Sequence, residues 1–486
     1  MLLKCKYLAQ FSLSELTKNS KTSLIAQSNC PFMSYAKRML HSESTCFNKL
    51  SIKEDIKVNK ENIQPPLNNT SEKDKVKNEN QLFKYEKYFN EKIESKKKDG
   101  SYRSFKKITR LAKPFPVVKE TNEQNEKQAT IWCSNDYLGL GRHPYVQSKV
   151  IEAVNNYGVG SGGTRNISGS TPLHYKLENE LAKLHEKESA LLFTSCYVAN
   201  DTTLYTLAKM LPNCHILSDS GNHASMIQGI RNSGIPKTIF RHNDYEHLEA
   251  ILKTMPLNIP KIVAFESVHS MDGSICDLEK MCDITHKYGG ISYIDEVHAV
   301  GLYGKNGAGI GERDNVLHKM DIITGTLGKA FGNVGGYIAG SASLVDLIRS
   351  YGSGFIFTTS LPPSVIAGSL AAIQISKSDE GRQLRDIHQF YANQVKQELK
   401  QAGLPVMDGP SHIVPVLVGN SYQAGEICNR LMNEYDIYIQ SINYPTVARG
   451  TERLRIVPNP HHTPEMISKL IHSLVDVWEK MGLKLN

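Results

Sequence analysis

Residues 261–296 read KIVAFESVHSMDGSICDLEKMCDITHKYGGISYIDE: two short apolar runs, KIVAFES and GGISYIDE, on either side of a helix-like segment. The alternation continues in both directions. Upstream stand SALLFTS (189–195) before YVANDTTLYTLAKML and HILSD (215–219) before NHASMIQGIRNSG; downstream comes MDIITGT (320–326). Short buried strands separated by helices predict an α/β fold with a mainly parallel, helix-flanked sheet. Ligands of such sheets bind beyond the carboxyl ends of the strands, so the chemistry should sit where these runs end.

MDIITGT leads into LGKAFGNVGG, which sets Lys329 among glycines. A lysine in such a turn serves either a nucleotide's phosphates or a pyridoxal phosphate aldehyde. The first use fails here. Ala330 stands where a phosphate loop needs Ser or Thr, and DEVH (295–298) has no such loop to serve. GVGSGG (158–163) matches the dinucleotide fingerprint, but VIEAVNNY before it reads as helix where a strand is required.

A pyridoxal phosphate site needs an amine, a buried carboxylate at the pyridine nitrogen, phosphate donors and a flat partner for the ring. Asp295 closes the run ISYI, where its carboxylate can enter the cleft, and His298 can reach the phenolic oxygen. Ser195, Cys196 and Tyr197 lie at a strand-to-helix turn whose free N–H groups suit a dianion. Thr326 can add a hydroxyl. Ser195 as an ordinary N-cap and Cys196 as a buried thiol are both compatible with that role.

The chain has 486 residues, 40% of them hydrophobic, enough for a large core and two or three structural units. The net charge of +8 is concentrated in the lysine-rich, acid-poor first fifty residues. The remainder is near neutral, which argues against nucleic acid. No window holds the roughly 18 apolar residues of a membrane helix, so no transmembrane segment is expected. Nine scattered cysteines without a C-x-x-C pair or zinc-like spacing imply free thiols and no metal site.

Residues 1–50 have the composition of a mitochondrial presequence, which places the protein in the matrix. Residues 51–81 are too polar to pack and read as a disordered linker. Residues 82–129 are read as a helix and arm, with Leu82, Tyr85, Phe89 and Ile93 spaced for a helix ending near Gly100. Residues 130–375 form the expected large domain. Residues 376–486, with IVPVLV, RLRIV and a last helix over 464–481, form a smaller α+β domain.

WCSNDYLGL, GSGGTRNISGS, SDSGNHASMI, IDEVHAVGLYG, GTLGKAFG, GFIFTTSLPP and GTERLRIVP occur in this order over more than 300 residues. With these motifs the chain resembles the α-oxoamine synthases, pyridoxal phosphate enzymes of the aspartate aminotransferase fold. The resemblance implies a homodimer with active sites at the interface. It further implies that Lys329 anchors the coenzyme, that His223 stacks on its ring, and that Thr358 and Thr359 reach the partner subunit's phosphate.

Within the family, the acyl pocket is similar to that of the member joining glycine to succinyl-CoA with loss of carbon dioxide, a step toward haem. A succinyl group brings a free carboxylate that calls for a cation and polar donors. Arg103, Thr164 and Asn166 match those positions, with Thr446 beside them. Arg455 and Asn135 are expected at the amino acid's carboxylate, helped by Ser218. An acetyl pocket, as in a glycine C-acetyltransferase, is the alternative. Cys30-Pro31 resembles a haem-ligating Cys-Pro motif, and SYGSGFIF is a candidate lid. Asn333 and Val457 depart from the family pattern without touching the proposed chemistry.

Overall fold

The computed structural model describes residues 82–103, 105–121 and 126–485. The expected presequence, the linker and the Cys30 haem contact lie outside the described residues. Strand β4 (Ser189–Phe193) opens the central sheet, followed by β5 (His215–Asp219), β6 (Lys237–Phe240), β7 (Lys261–Glu266) and β8 (Gly290–Asp295). The sheet is completed by β9 (Ile322–Thr326) and β10 (Gly336–Gly340). The order is β4-β10-β9-β8-β7-β5-β6, and β10 alone runs antiparallel to its neighbours. This is the mainly parallel sheet that the alternating apolar runs imply.

The runs are continuous because both faces of the sheet are covered. Leu217, Val263, Phe265, Ile294 and Ile323 face one core with helices α3 (Pro172–Leu184), α6 (Tyr245–Leu252) and α7 (Leu278–Lys287). The intervening Ile216, Ile262, Ala264, Tyr293 and Ile322 face a second core with α4 (Cys196–Met210) and α5 (Ala224–Ser233). VIEAVNNY belongs to helix α2 (Pro144–Tyr157), so GVGSGG follows a helix and no dinucleotide turn exists there.

The short α8 (Ile310–Arg313) precedes β9. SYGSGFIF spans the end of α9 (Ala342–Tyr351) and α10 (Ser353–Ile356), ahead of α11 (Pro363–Lys377). After α12 (Asp379–Gln401) come β11 (Val414–Leu417), α13 (Ser421–Tyr435), β12 (Ile437–Tyr438), β13 (Gln440–Ile442), β14 (Arg453–Ile456) and α14 (Pro464–Lys480). These enclose a core of their own around Leu431, Leu454, Leu470 and Trp478.

Helix α1 (Tyr85–Lys98) forms as the spacing predicts, just before Gly100 at φ 70°, but none of its residues is buried. The arm after it contributes β1 (Ile108–Arg110), β2 (Val117–Thr121) and β3 (Glu126–Ile131), and β3 pairs in parallel with β12. The arm thus builds a four-stranded sheet, β1-β2-β3-β12, with a strand more than 300 residues away, separate from the three-stranded sheet β11-β14-β13. No local pattern could announce that pairing. Among the described residues no helix is long and apolar enough to cross a membrane.

Candidate active site

The carboxyl ends of β9, β8, β7 and β5 lie side by side, with that of β4 one strand further on beyond the antiparallel β10, and the predicted residues follow them directly. Ser195 caps α4 by accepting from the Val198 N–H at 3.2 Å, so the helix presents its remaining free N–H groups beside Cys196 and Tyr197. The close approach of β10 to this turn requires a glycine. A Cβ on Gly336 would stand 2.2 Å from the Cys196 backbone nitrogen. The buried Cys196 Sγ meets the Thr324 hydroxyl at 3.5 Å, and burial pushes its thiol well above the usual range.

Lys329 stands three residues beyond β9 in a loop closed on itself. The Thr326 hydroxyl donates to the Gly335 carbonyl (3.1 Å) and accepts from the Gly328 N–H (3.0 Å). The Lys329 carbonyl accepts from Gly332 (2.8 Å). Lys329 keeps some surface open to the cleft while its amine is enclosed by protein. Burial lowers that amine to about 8, with the Asp295 carboxylate pulling the other way.

Asp295 ends β8 and is itself held at both oxygens. Oδ1 accepts from the Val297 N–H (2.8 Å) and Oδ2 from the buried Asn200 side chain (2.7 Å). Asn200 in turn accepts from the hydroxyls of Tyr293 and Thr324, each at 2.9 Å. Glu266 is the register partner of Asp295 on β7; burial, then the charge of Asp295, raises its carboxyl well above the usual range.

His298 is buried, and desolvation followed by the charges of Lys329 and Arg455 holds it neutral, well below the usual imidazole range. Its tautomer follows from its partners. Arg455 Nη2 donates to the Tyr137 hydroxyl at 3.0 Å and reaches His298 Nδ1 at 3.4 Å; of the hydroxyl's two acceptors, Nδ1 at 2.8 Å is much nearer than Asn135 Oδ1 at 3.4 Å, so the proton goes to Nδ1. The Nε2–H is thereby left to point elsewhere. Arg455 also donates to the Asn135 side chain (3.2 Å) and the Ser270 carbonyl (2.9 Å), so the expected Arg455–Asn135 pair is assembled. His223 caps α5 with Nδ1 and exposes the rest of its ring; desolvation lowers its imidazole pKa.

Other predicted residues lie elsewhere. Ser218 is buried, accepting from Asn222 at 2.9 Å and donating to the Asp219 carbonyl, so its hydroxyl is committed to the turn after β5. Arg103 donates to the Thr446 hydroxyl at 2.9 Å on the wall of a cavity of about 590 Å³ between the arm and the C-terminal region. Thr164 instead bridges to Thr359, with Asn166 exposed and Thr358 donating to the Gly354 carbonyl at 2.6 Å. The expected acyl-pocket residues thus form two groups with different neighbours.

Behind His223, the His242 ring lies between Asp219 (2.8 Å) and Asp272 (3.1 Å). Burial opposes its charge, but these hydrogen bonds outweigh it and raise the imidazole to about 10. Both ring nitrogens of His242 serve carboxylates, so within the cluster of Asp219, His242 and His269 that ring is part of an ion-pair network and has no lone pair to offer a metal. Sequence reasoning missed Tyr137, Asn200 and Glu266. Tyr137 at least sits inside the quoted motif WCSNDYLGL, whereas Asn200 and Glu266 carry no local signal.

The donor set fits pyridoxal phosphate: an enclosed amine of lowered basicity, a doubly held carboxylate, a helix N-terminus and an exposed imidazole face. Residues 127–474 match the family model "Aminotransferase class I and II". A 5-aminolevulinate synthase, erythroid-specific, mitochondrial, of Danio rerio is 57% identical over 406 residues, 83% of this chain and 70% of that protein. The Homo sapiens erythroid-specific enzyme is 49% identical over 484 residues, 95% of this chain and 82% of its own.

The chain belongs to the class I and II aminotransferase family, among the 5-aminolevulinate synthases.

Structures solved for that fold agree with the architecture. A serine palmitoyltransferase from S. paucimobilis with a bound PLP–myriocin aldimine superposes with a TM-score of 0.74 at 26% identity, covering 81% of this chain and 97% of that one. An 8-amino-7-oxononanoate synthase from Francisella tularensis shares the fold at a TM-score of 0.62 and 23% identity, over 73% and 99% of the two chains. This 5-aminolevulinate synthase family member is therefore a pyridoxal phosphate enzyme of fold type I.

Proposed function

We infer that the protein condenses glycine with succinyl-CoA to 5-aminolevulinate, CoA and carbon dioxide in the mitochondrial matrix, at the start of haem biosynthesis. The relatives' identity favours this over the glycine C-acetyltransferase alternative. The observation that carries the chemistry is the enclosed Lys329 amine, lowered to about 8 within the field of Asp295.

Pyridoxal phosphate, when bound, supplies an aldehyde that captures amines and a ring that draws electrons from the bond being broken. The chain's own groups do the rest. Lys329 would anchor the aldehyde and its free amine would serve as general base toward the glycine Cα proton, because its lowered basicity leaves part of the amine neutral. Asp295 would hold a proton on the pyridine nitrogen, His298 would offer its Nε2–H to the phenolic oxygen, and the N-terminus of α4 with Ser195, Cys196, Tyr197 and Thr326 would receive the phosphate. Arg455 and Asn135 orient glycine by its carboxylate, with Ser218 supporting the turn. His223 would stack on the ring and serve as proton donor toward the acyl oxygen.

Arg103 and Thr446 meet the free carboxylate of the succinyl group. The separate setting of Thr164, Asn166, Thr358 and Thr359 supports a homodimer in which those residues complete the partner's cleft. Lys329→Ala should abolish turnover. Arg103→Leu should lower kcat/KM for succinyl-CoA by about 10- to 100-fold, the value of a charge-assisted hydrogen bond, with acetyl-CoA unaffected. An intact enzyme that preferred acetyl-CoA would replace this reading with the acetyltransferase.

A further inference from the structure

Between the two cleft residues Asp295 and His223 runs an unbroken chain of buried side chains from three different elements. Asn200, on α4, is 1% exposed and has all four of its side-chain hydrogen-bonding positions filled. Its Nδ2 donates to Asp295 Oδ2 at 2.7 Å and to the Ser225 hydroxyl at 3.0 Å. Its Oδ1 accepts from Tyr293 and from Thr324. The amide cannot turn over, because that would place its oxygen against the Asp295 carboxylate and its NH2 against Thr324.

Ser225, at the start of α5, therefore has its oxygen engaged as an acceptor. A hydroxyl has one proton to give, and the acceptor in reach is His223 Nδ1 at 2.8 Å. The Ser225 backbone N–H is aimed at the same nitrogen from 3.3 Å. Two donors converge on Nδ1, so that atom carries a lone pair.

We propose that Asn200 and Ser225 are positioning residues that lock His223 as the neutral Nε2–H tautomer, so that the ring reaches the reacting centre only as a proton donor and not as a base at Nδ1. The lock depends on Asp295, since its Oδ2 accepts from the Asn200 amide and so helps orient it. The residue that would hold the coenzyme's pyridinium thus also sets the proton position on the histidine that flanks it. The Arg455–Tyr137–His298 chain on the other side follows the same logic, with a donor-engaged hydroxyl presenting its proton to Nδ1. The catalytic consequence rests on His223 facing the acyl oxygen, as proposed above; the tautomer does not.

The test is nitrogen NMR of the holoenzyme labelled with 15N-histidine, with His223 assigned by its loss in His223→Gln. The expected result at neutral pH is a proton on Nε2 and none on Nδ1. A proton on Nδ1, alone or in the imidazolium, overturns the proposal without bearing on the overall reaction. Ser225→Ala removes the nearer of the two donors at Nδ1 and leaves only the backbone N–H, so it should weaken the lock, shift the His223 nitrogen resonances toward the other tautomer and lower kcat by about tenfold with little change in the glycine KM, the loss of one hydrogen bond in the transition state. Ser225→Thr should restore both. A Ser225→Ala enzyme with unaltered spectrum and kcat also overturns it. If that variant does not fold, Asn200→Asp provides the second arm: its carboxylate should shift the His223 resonances, and unchanged resonances count against the relay. Failure of the wild type to turn over glycine and succinyl-CoA would instead sink the functional reading and leave the tautomer result standing.

Discussion

The Lys329 amine must be neutral to attack an aldehyde, and its surroundings make a quantitative demand. An ordinary lysine titrates near 10.5, whereas burial brings Lys329 to about 8. At about pH 7.5 the neutral fraction rises from about 0.1% to about a quarter, roughly 200-fold more nucleophile. The sign is set by desolvation, which disfavours the ammonium, so the reactive form grows as pH rises. Stopped-flow absorbance of pyridoxal phosphate mixed with coenzyme-free protein should show capture accelerating up to about pH 8 and levelling off beyond it. A model lysine amine measured in parallel corrects for the coenzyme's own ionisations. Asp295→Asn removes the carboxylate that favours the ammonium, so its midpoint should fall below that of the wild type. A midpoint near the ordinary lysine value, or an upward shift in Asp295→Asn, would refute the account of the cleft's electrostatics.

Three further expectations concern the scaffold that holds the cleft. Gly336→Ala drives a Cβ to 2.2 Å from the Cys196 nitrogen and 2.4 Å from its Cα, so it should destabilise by about 1–3 kcal/mol, read as a lowered Tm. An unchanged Tm would mean that β10 does not press on the α4 turn. Arg165 donates to both oxygens of the buried Glu178 at 2.6 and 3.0 Å, and Arg165→Met leaves that carboxylate unpaired. A loss of about 3–5 kcal/mol in denaturant titration is expected, and a loss below about 1 would contradict it. His242, raised from 6.5 to about 10, stabilises the fold fully below its unfolded value and loses that contribution as pH rises through about 10. Allowing for its partial exposure, the stability difference between wild type and His242→Gln should shrink by about 2 kcal/mol between neutral pH and pH above about 10. A difference independent of pH would show that the imidazole is not charged.

The frame of the proposed site was legible because its residues come with local context. Asp295 and Lys329 stand at the ends of apolar runs, and the position of a strand end is fixed by where the run stops. Ser195 and His223 announce helix starts by residue type and by the strand before them. The smaller sheets were only half legible, since IVPVLV and RLRIV show as strands of β11-β14-β13 while β1–β3, of the sheet β1-β2-β3-β12, do not show. Their burial alternates weakly, and β3 owes its place to β12, which lies far along the chain.

Ser218 shows the limit from the other side. Its place beside the turn after β5 suits a substrate contact by sequence, yet Asn222 and the Asp219 carbonyl engage its hydroxyl. Nothing in the spacing distinguishes a hydroxyl that faces the cleft from one turned back into the loop.

By itself the sequence determined which residues end the strands, and therefore which chemistry the cleft can perform, because a run of apolar side chains specifies a buried strand without reference to the rest of the chain. Only the tertiary structure decided which protons those residues hold. Asn200 meets Asp295 across 95 positions, and Arg455 meets Tyr137 across 318. A tautomer or a lowered amine pKa depends on distance and burial in three dimensions, which no local pattern of residue types records.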